Sequence, residues 1–158
     1  MTLPNFALFE SSLADDSVEE SGDITVPAGR TVMESLSQRF KESGIKTSVV
    51  SPHSFYGWSL EAWVEDRKFW FLIQGGLPWL LIVNDRRVLF RRVLEGDAPF
   101  RAALRSCDAA LRAISHTSGL EWLTQAAYEA RGRAKFEQRR KQPIQSATDN
   151  DGAAPRRV

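Results

Sequence analysis

The amino-acid sequence predicts an α+β fold, a two-layer domain whose antiparallel sheet carries its helices on one face. Four of the five tryptophans lie between residues 58 and 79, inside aromatic and apolar runs that polar turn candidates interrupt. Aromatic and β-branched residues are favoured on pleated strands. Apolar residues at helical spacing stand before this region and again after it. Grouped helices on a sheet form α+β domains, and links of hairpin length favour antiparallel pairing.

The predicted sheet has four or five strands. The second strand alternates between apolar and polar positions, which indicates one buried side and one solvent-facing side, with Trp63 as an aromatic exception on the polar side. The third and fourth are apolar on both faces and are expected to be central. Pro52 is expected to end the first strand, because proline cannot donate to a ladder. The predicted strands are residues 47–51, 58–65, 68–74, 79–83 and 88–93.

One helix is predicted before the sheet. Thr31 and Glu34 have the spacing of a capping box, in which each side chain accepts a hydrogen bond from a free backbone N–H. Leu36 and Phe40 continue an apolar face at a spacing of four. Gly44 stands where a left-handed residue ends a helix without steric cost.

Two helices are predicted after the sheet. Asp97 is a suitable N-cap for a helix through residues 100–114, and Pro99 fits its first turn. Ser118 and Glu121 repeat the capping-box spacing, so a last helix is expected to begin there.

Composition divides the chain into three parts. Residues 1–23 contain six acidic residues and neither Lys nor Arg, which predicts an acidic tail that is disordered or loosely docked. Residues 24–141 are expected to form the single domain. Residues 142–158 are rich in small polar residues and are predicted to be a disordered C-terminal tail. Whether the acidic tail docks on the basic regions is left open.

Charge and cysteine content restrict the class of protein. A net charge of +1, from 21 basic and 20 acidic residues, argues against a nucleic-acid binder with a wholly basic surface. Cys107 is the only cysteine, and we interpret it as a buried apolar residue. The first basic residue is Arg30, which does not fit a signal peptide, and the central apolar stretch is too short for a membrane span. The expected location is cytoplasmic, without membrane contact.

No pattern for catalysis, a metal or a cofactor stands out. His53 and His116 are the only histidines and lie 63 positions apart, so neither a metal nor a cofactor is expected. Glu61 and Glu65 lie four apart on a predicted strand with Trp63 between them, as paired carboxylates for hydrolysis would. A small hydrolase using His53 or Glu61 is therefore kept as a second alternative, although the main expectation is that the chain is not an enzyme.

The favoured hypothesis is a non-catalytic protein-binding module that contacts a protein partner or a second copy of itself. Trp, Tyr and Arg dominate interface hot spots because they bury much area with few rotatable bonds. Trp63 on the polar side of a strand fits this role, unless it covers the core from a second layer. The candidate partner-binding residues are Tyr56, Glu61, Trp63, Glu65, Arg86, Arg87 and Arg91.

Nucleic-acid binding through a basic C-terminal helix is the first alternative. A run of basic side chains at the end of a helix could contact phosphates. The candidate residues are Arg131, Arg133, Lys135, Arg139, Arg140 and Lys141.

Several aromatic motifs carry a resemblance to known proteins. They are the helix entry Pro27–Arg30, the strand opening Tyr56–Trp58, the aromatic triplet Phe69–Phe71, Pro78 with Trp79, and the segment around Trp122. Across residues 24–130 this order resembles small bacterial α+β proteins of unknown function, some of which are immunity, chaperone-like or accessory proteins. The resemblance implies a cytoplasmic domain that binds a protein partner without catalysis.

Overall fold

An antiparallel sheet with two of the three described helices on one side organises the computed structural model, which describes residues 3–13, 15–54, 56–76, 78–85 and 97–141. The elements of the described residues are, in chain order, β1 (Phe6–Glu10), β2 (Val18–Glu20), β3 (Asp23–Val26), α1 (Arg30–Glu42), β4 (Lys46–Thr47), β5 (Ser51–His53), β6 (Gly57–Val64), β7 (Arg67–Gln74), β8 (Trp79–Asp85), α2 (Ala98–Ala113), β9 (Ser118–Leu123) and α3 (Gln125–Lys141).

The main sheet has the strand order β4-β6-β7-β8-β1-β9, and β5 lies beside β6 on the same edge as β4. Every pairing in it is antiparallel. Strands β6, β7 and β8 follow one another as hairpins, whereas β1 comes from the start of the chain and lies between β8 and β9. A separate hairpin of β2 and β3 precedes α1.

The hydrophobic core lies between the main sheet and helices α1 and α2. Phe40 of α1 contacts Phe71 of β7 edge to face, with 5.1 Å between ring centroids. Phe100 of α2 stacks on Phe69 of the same strand at 5.8 Å. Both helices therefore cover one face of the sheet. The predicted placement of all helices on that face is wrong, because Tyr128 of α3 stacks on Phe6, which lies on the opposite face.

The predicted α+β class and the antiparallel pairing are confirmed, and three predicted strands match β6, β7 and β8 to within two residues at each end. The predicted count of four or five strands is wrong, because the main sheet has seven among the described residues. The predicted strand 47–51 is instead divided into β4 and β5. Pro52 lies inside β5 rather than ending a strand, and it pairs with Trp58 at the sheet edge, where proline is tolerated. The predicted strand 88–93 lies outside the described residues.

Strand β1 is the largest departure from the sequence prediction. Ala7 and Phe9 are fully buried, and β1 pairs with a strand on each side. Residues 6–10 therefore belong to the sheet, whereas the prediction placed all of residues 1–23 in a loosely docked tail. The acidic residues that suggested a tail begin only at the last position of this strand. Residues 142–158, the predicted C-terminal tail, lie outside the described residues.

Strand β9 stands where the last helix was predicted to begin. Leu120 and Trp122 alternate with Glu121 and Leu123, and this period of two suits an edge strand beside β1. Trp122 faces the helix layer, where its indole Nε1 donates a hydrogen bond to Oδ1 of Asp108 at 2.9 Å. Helix α3 begins only after this strand, so the capping-box interpretation at 118–121 is wrong.

The capping box predicted at Thr31 and Glu34 is also wrong, because the N–H groups at the start of α1 bind a side chain from outside the helix. Thr31 lies inside the helix and Glu34 pairs with Arg30 at 2.8 Å. The backbone N–H groups of Gly29 and Thr31 instead donate to the carboxylate of Asp16, each at 2.7 Å. Partial burial acts to raise the pKa of Asp16, but these hydrogen bonds outweigh it and hold that pKa below its usual value.

Candidate partner-binding surface

The outer face of the sheet, opposite α1 and α2, carries apolar side chains at its centre. Strand register places Trp63, Trp70, Leu72, Ile82 and Phe6 on this face, across β6, β7, β8 and β1. Both tryptophans and Ile82 are half-buried, whereas Leu72 and Phe6 are buried. A sheet face that is open to water is usually polar. The apolar centre of this face is therefore a candidate contact surface.

Trp63 is held between two lysines on the outer face. Lys46 of β4 and Lys68 of β7 are its cross-strand neighbours, and their ammonium groups lie 5.1 and 5.5 Å from the indole ring centroid. Cation–π contacts of this kind contribute about 0.5–1 kcal/mol each at exposed sites. They restrict the orientation of the ring. Trp63 does not cover the core beneath α2, since it lies on the face opposite the one that α2 covers.

Trp70 lies next to this cluster, and charged groups surround it. Its ring meets His53 of β5 edge to face at 5.1 Å. Glu61 is its cross-strand partner, and the Oε2 atom of that carboxylate lies 3.3 Å from the ammonium of Lys68. The outer face thus combines apolar rings with charged neighbours, which is the composition of a protein interface with a polar rim.

The predicted partner-binding residues fall in different places. Glu61 and Trp63 share the outer face, but Glu65 lies beyond the end of β6, in a turn with Asp66 where both residues have positive φ. The predicted carboxylate pair on one strand is therefore wrong. Tyr56, 67% exposed, lies in the turn at the opposite end of β6. Arg86, Arg87 and Arg91 lie outside the described residues.

Helix α3 contacts the outer face at strands β1 and β9. Tyr128 stacks on Phe6 with 5.3 Å between ring centroids, and both Nη atoms of Arg131 lie 2.8 Å from the carboxylate oxygens of Glu121. The hydrogen bond from Arg131 holds the pKa of Glu121 below its usual value. A cavity of about 260 Å³ separates this helix from the sheet, and Leu8 and Tyr128 are among its apolar lining residues.

The basic residues of α3 are only partly available for phosphate contacts. Arg131, Arg133 and Lys135 are all exposed, but Arg131 is paired with Glu121. The side chains of Arg139, Arg140 and Lys141 lie outside the described part of the chain. The structure therefore describes three exposed cations among the six predicted nucleic-acid contacts, and one of the three is already paired with a carboxylate.

The sequence analysis missed Trp70, Lys46 and Lys68 as site residues. Strand β7 is apolar on both faces, so its pattern alone does not say which side packs on helices. The signal lies in the register, because Trp70 pairs with Glu61, which is on the polar side of β6. Lys46 stood one position before the predicted first strand.

The side chains considered for catalysis do not form a cluster among the described residues. His53 is exposed on β5, and its described contact is with the ring of Trp70. His116 lies between α2 and β9. Among the residues that the structure describes, no three His, Cys, Asp or Glu side chains are placed to hold a metal ion. The same residues contain no helix with the length and apolarity of a membrane span.

Comparisons of the chain with protein-family models, with curated proteins and with solved structures gave no match. The resemblance to small bacterial proteins stays a prediction. The function is therefore inferred from the chemistry of the surface.

Proposed function

We propose that the chain is a non-catalytic module that binds a protein partner through the outer face of its sheet. The observation that carries this proposal is the partial exposure of Trp63, Trp70 and Ile82 on an outer sheet face, where polar residues are usual. Contiguous apolar surface surrounded by polar groups is typical of interaction sites. Tryptophan is also among the residue types whose removal costs the most binding energy, about 2 kcal/mol or more at hot spots.

The charges around the two tryptophans favour a protein over a nucleic acid. The ammonium of Lys68 lies 3.3 Å from the Glu61 carboxylate, and two further acidic residues, Glu65 and Asp66, follow directly after β6. A surface that binds phosphates is expected to be basic. Stacking of a base would also require an open aromatic face, whereas the ring of Trp63 is already in contact with two lysines. Mixed charge around an apolar centre suits a protein partner of mixed charge.

The proposal predicts that capture of a protein partner depends on the outer face. Tagged protein is incubated with nuclease-treated native lysate, and the proteins retained by wild type are compared with those retained by Trp70→Ser and Lys68→Glu. The second variant changes an exposed side chain, so it tests the surface without disturbing the core. The control is Ile24→Ser, which removes an exposed apolar side chain from the remote β2–β3 hairpin.

The expected result is a partner that wild type and the Ile24→Ser variant retain and that both outer-face variants lose. Far-UV circular dichroism and thermal melts establish that each variant is folded. Equal retention by all four proteins would contradict the proposal. So would recovery of nucleic acid alone when the nuclease is left out.

Nucleic-acid binding by α3 is the second candidate, supported by the exposure of Arg133 and Lys135 on a helix whose described side chains are exposed except for Tyr128. It predicts binding that weakens steeply with salt, because each phosphate contact releases a counterion. Replacing both residues by alanine is expected to reduce the salt dependence of binding to a single-stranded oligonucleotide. An unchanged salt dependence would count against this role.

A further inference from the structure

The two edges of the main sheet differ in how well they are protected from pairing. The edge beside β6 is divided into β4 and β5, of two and three residues, and it contains Lys46 and Pro52. Short strands, lysine and proline are devices that keep an edge from pairing with another chain. This edge is therefore poorly suited to accept a further strand.

Edge strand β9 lacks those devices. It has six residues and contains neither proline nor a basic residue, and its one irregularity lies near Gly119 at its beginning. Among the described residues, β1 is the only strand that pairs with it. Its other edge thus presents backbone N–H and C=O groups that no described strand binds. Leu120, Trp122 and Leu123 on this strand are only half-buried.

An open apolar pocket lies next to β9 on the helix-covered face. Its volume is about 380 Å³, and Pro4, Leu104 and Trp122 line it together with Arg105 and Asp108. A strand ladder alone buries little surface, and stable interfaces bury about 800 Å² per partner. The pocket adds apolar area beside the strand, and a neighbour on β9 would cover it.

We propose that β9 pairs antiparallel with β9 of a second copy of this chain, about a two-fold axis at Trp122. This axis places Trp122 opposite its counterpart, and aromatic pairs across strands are favourable. It also sets Glu121 opposite Leu123 of the second copy. Because opposed residues then lie on the same face, the helix layers and the two apolar pockets of both copies come together on one side of a continuous sheet.

Charge favours a second copy in this register as the occupant. An axis at Glu121 would oppose two carboxylates, whereas the axis at Trp122 opposes each carboxylate to a leucine. Arg131 of the same chain already neutralises Glu121. The pocket carries one cation and one anion, Arg105 and Asp108, three positions apart on α2. A pocket that carries charges of both signs can be complemented by a second copy of itself.

The test is the mass of the particle in solution, measured by sedimentation equilibrium over a range of protein concentrations. Wild type is expected to have the mass of two chains. Glu121→Lys, which introduces a lysine at an exposed position of β9, is expected to have the mass of one chain. Val49→Lys, an equivalent change at the other sheet edge on a residue 81% exposed, is expected to keep the mass of two chains.

A cysteine pair provides a second measurement if the lysine variant does not fold. Glu121→Cys combined with Leu123→Cys is expected to form a disulfide-linked dimer on oxidation, since the proposed register opposes these positions. The natural Cys107 is fully buried and is not expected to contribute.

Three outcomes would overturn the proposal. The first is wild type at the mass of one chain throughout. The second is a dimer that Glu121→Lys and Leu123→Lys both leave intact. The third is a wild-type monomer that binds a foreign peptide strand and loses this binding in the Glu121→Lys variant. That result would mean that another chain, and not a second copy, pairs with β9. Lys68→Glu is expected to leave the dimer intact, so this result is separate from the outer-face proposal.

Discussion

Asp16 is a helix cap supplied by a distant part of the chain. Its carboxylate accepts hydrogen bonds from the N–H groups of Gly29 and Thr31 and from the Thr31 hydroxyl, at 2.7, 2.7 and 2.8 Å. These N–H groups belong to the first turn of α1, where the helix itself offers no acceptor. One aspartate therefore fastens the segment that follows β1 to the start of the helix.

Removal of this cap is expected to lower stability. Asp16→Ala should reduce the free energy of unfolding by about 1–2 kcal/mol at neutral pH, the range for loss of a side-chain cap. The control Asp15→Ala removes a neighbouring carboxylate whose described hydrogen bond is local, to the Ser17 N–H, and should have a smaller effect. Urea titrations measure both variants, and equal losses would contradict the capping role.

The stability that Asp16 provides should depend on pH. Its pKa is lowered in the folded protein, so the contribution is present above the unfolded pKa and is lost as the pH falls through the folded pKa. The difference in unfolding free energy between wild type and Asp16→Ala should therefore shrink in acid. A difference that stays constant between neutral and strongly acidic pH would mean that the charge is not involved.

Arg67 joins two strand ends to the start of α2. Its guanidinium contacts the carboxylates of Asp85 at the end of β8 and Asp97 at the N-cap of α2, and its side chain is only 16% exposed. Asp97 stands at the predicted N-cap position, but its carboxylate accepts from Arg67 instead of from the helix. This buried cluster orders the junction of sheet and helix.

Arg67→Met is expected to destabilise the fold strongly. Removing one partner of a buried ion pair costs about 3–5 kcal/mol, and this change takes the guanidinium away from two carboxylates at once, those of Asp85 and Asp97. Arg112→Met is the matched control, since it breaks the exposed pair with Asp108, and such pairs contribute about 0–1 kcal/mol. Chemical denaturation compares the two, and losses of similar size would refute the structural role of Arg67.

Cys107 is expected to be unreactive in the folded protein. Burial in the apolar core raises the pKa of this thiol, and the nearby Asp108 adds to the effect. The thiolate is the reactive form, so a thiol-specific reagent should label the chain only as it unfolds in denaturant. Rapid labelling of native protein would show that the core around α2 is open.

At the scale of elements, hydrophobic period and composition predicted the strands that pair with neighbours in the sequence. They failed for strands whose pairing partners lie far along the chain. The hairpins of β6, β7 and β8 follow from their own patterns. Strand β1 has only four apolar residues before an acidic stretch, and its two partner strands lie more than 60 positions along the chain. Ser118 and Glu121 fit a helix start, but pairing with β1 overrides that local preference.

Strand β1 is expected to be essential for folding. A chain of residues 24–141 lacks the strand that fills the space between β8 and β9, and it also loses the Asp16 cap. We expect this truncated chain to show no cooperative thermal melt, because Ala7 and Phe9 leave the core. Addition of a peptide of residues 1–23 should restore a melt. A truncated chain that melts like the full chain would contradict the placement of β1.

At the scale of the whole molecule, the sequence predicted the layers but not the use of their outer surface. Trp63 was singled out because it breaks an alternation within one strand. The sequence pattern does not single out Trp70, because β7 is apolar on both faces. Only its pairing with β6 and β8 shows that this ring lies on the face opposite α1 and α2. Strand register carries that information, and it becomes visible only when the sheet is assembled.

The outer face is the central element of the functional account, and site-specific photocrosslinking tests it most directly. A photoreactive amino acid is placed at Lys68 on the outer face or at Lys41, exposed on α1 on the other side of the molecule. After irradiation in lysate, we expect a protein crosslink from position 68 and none from position 41. A crosslink from position 41 alone would contradict the account, as would crosslinks to nucleic acid alone from position 68.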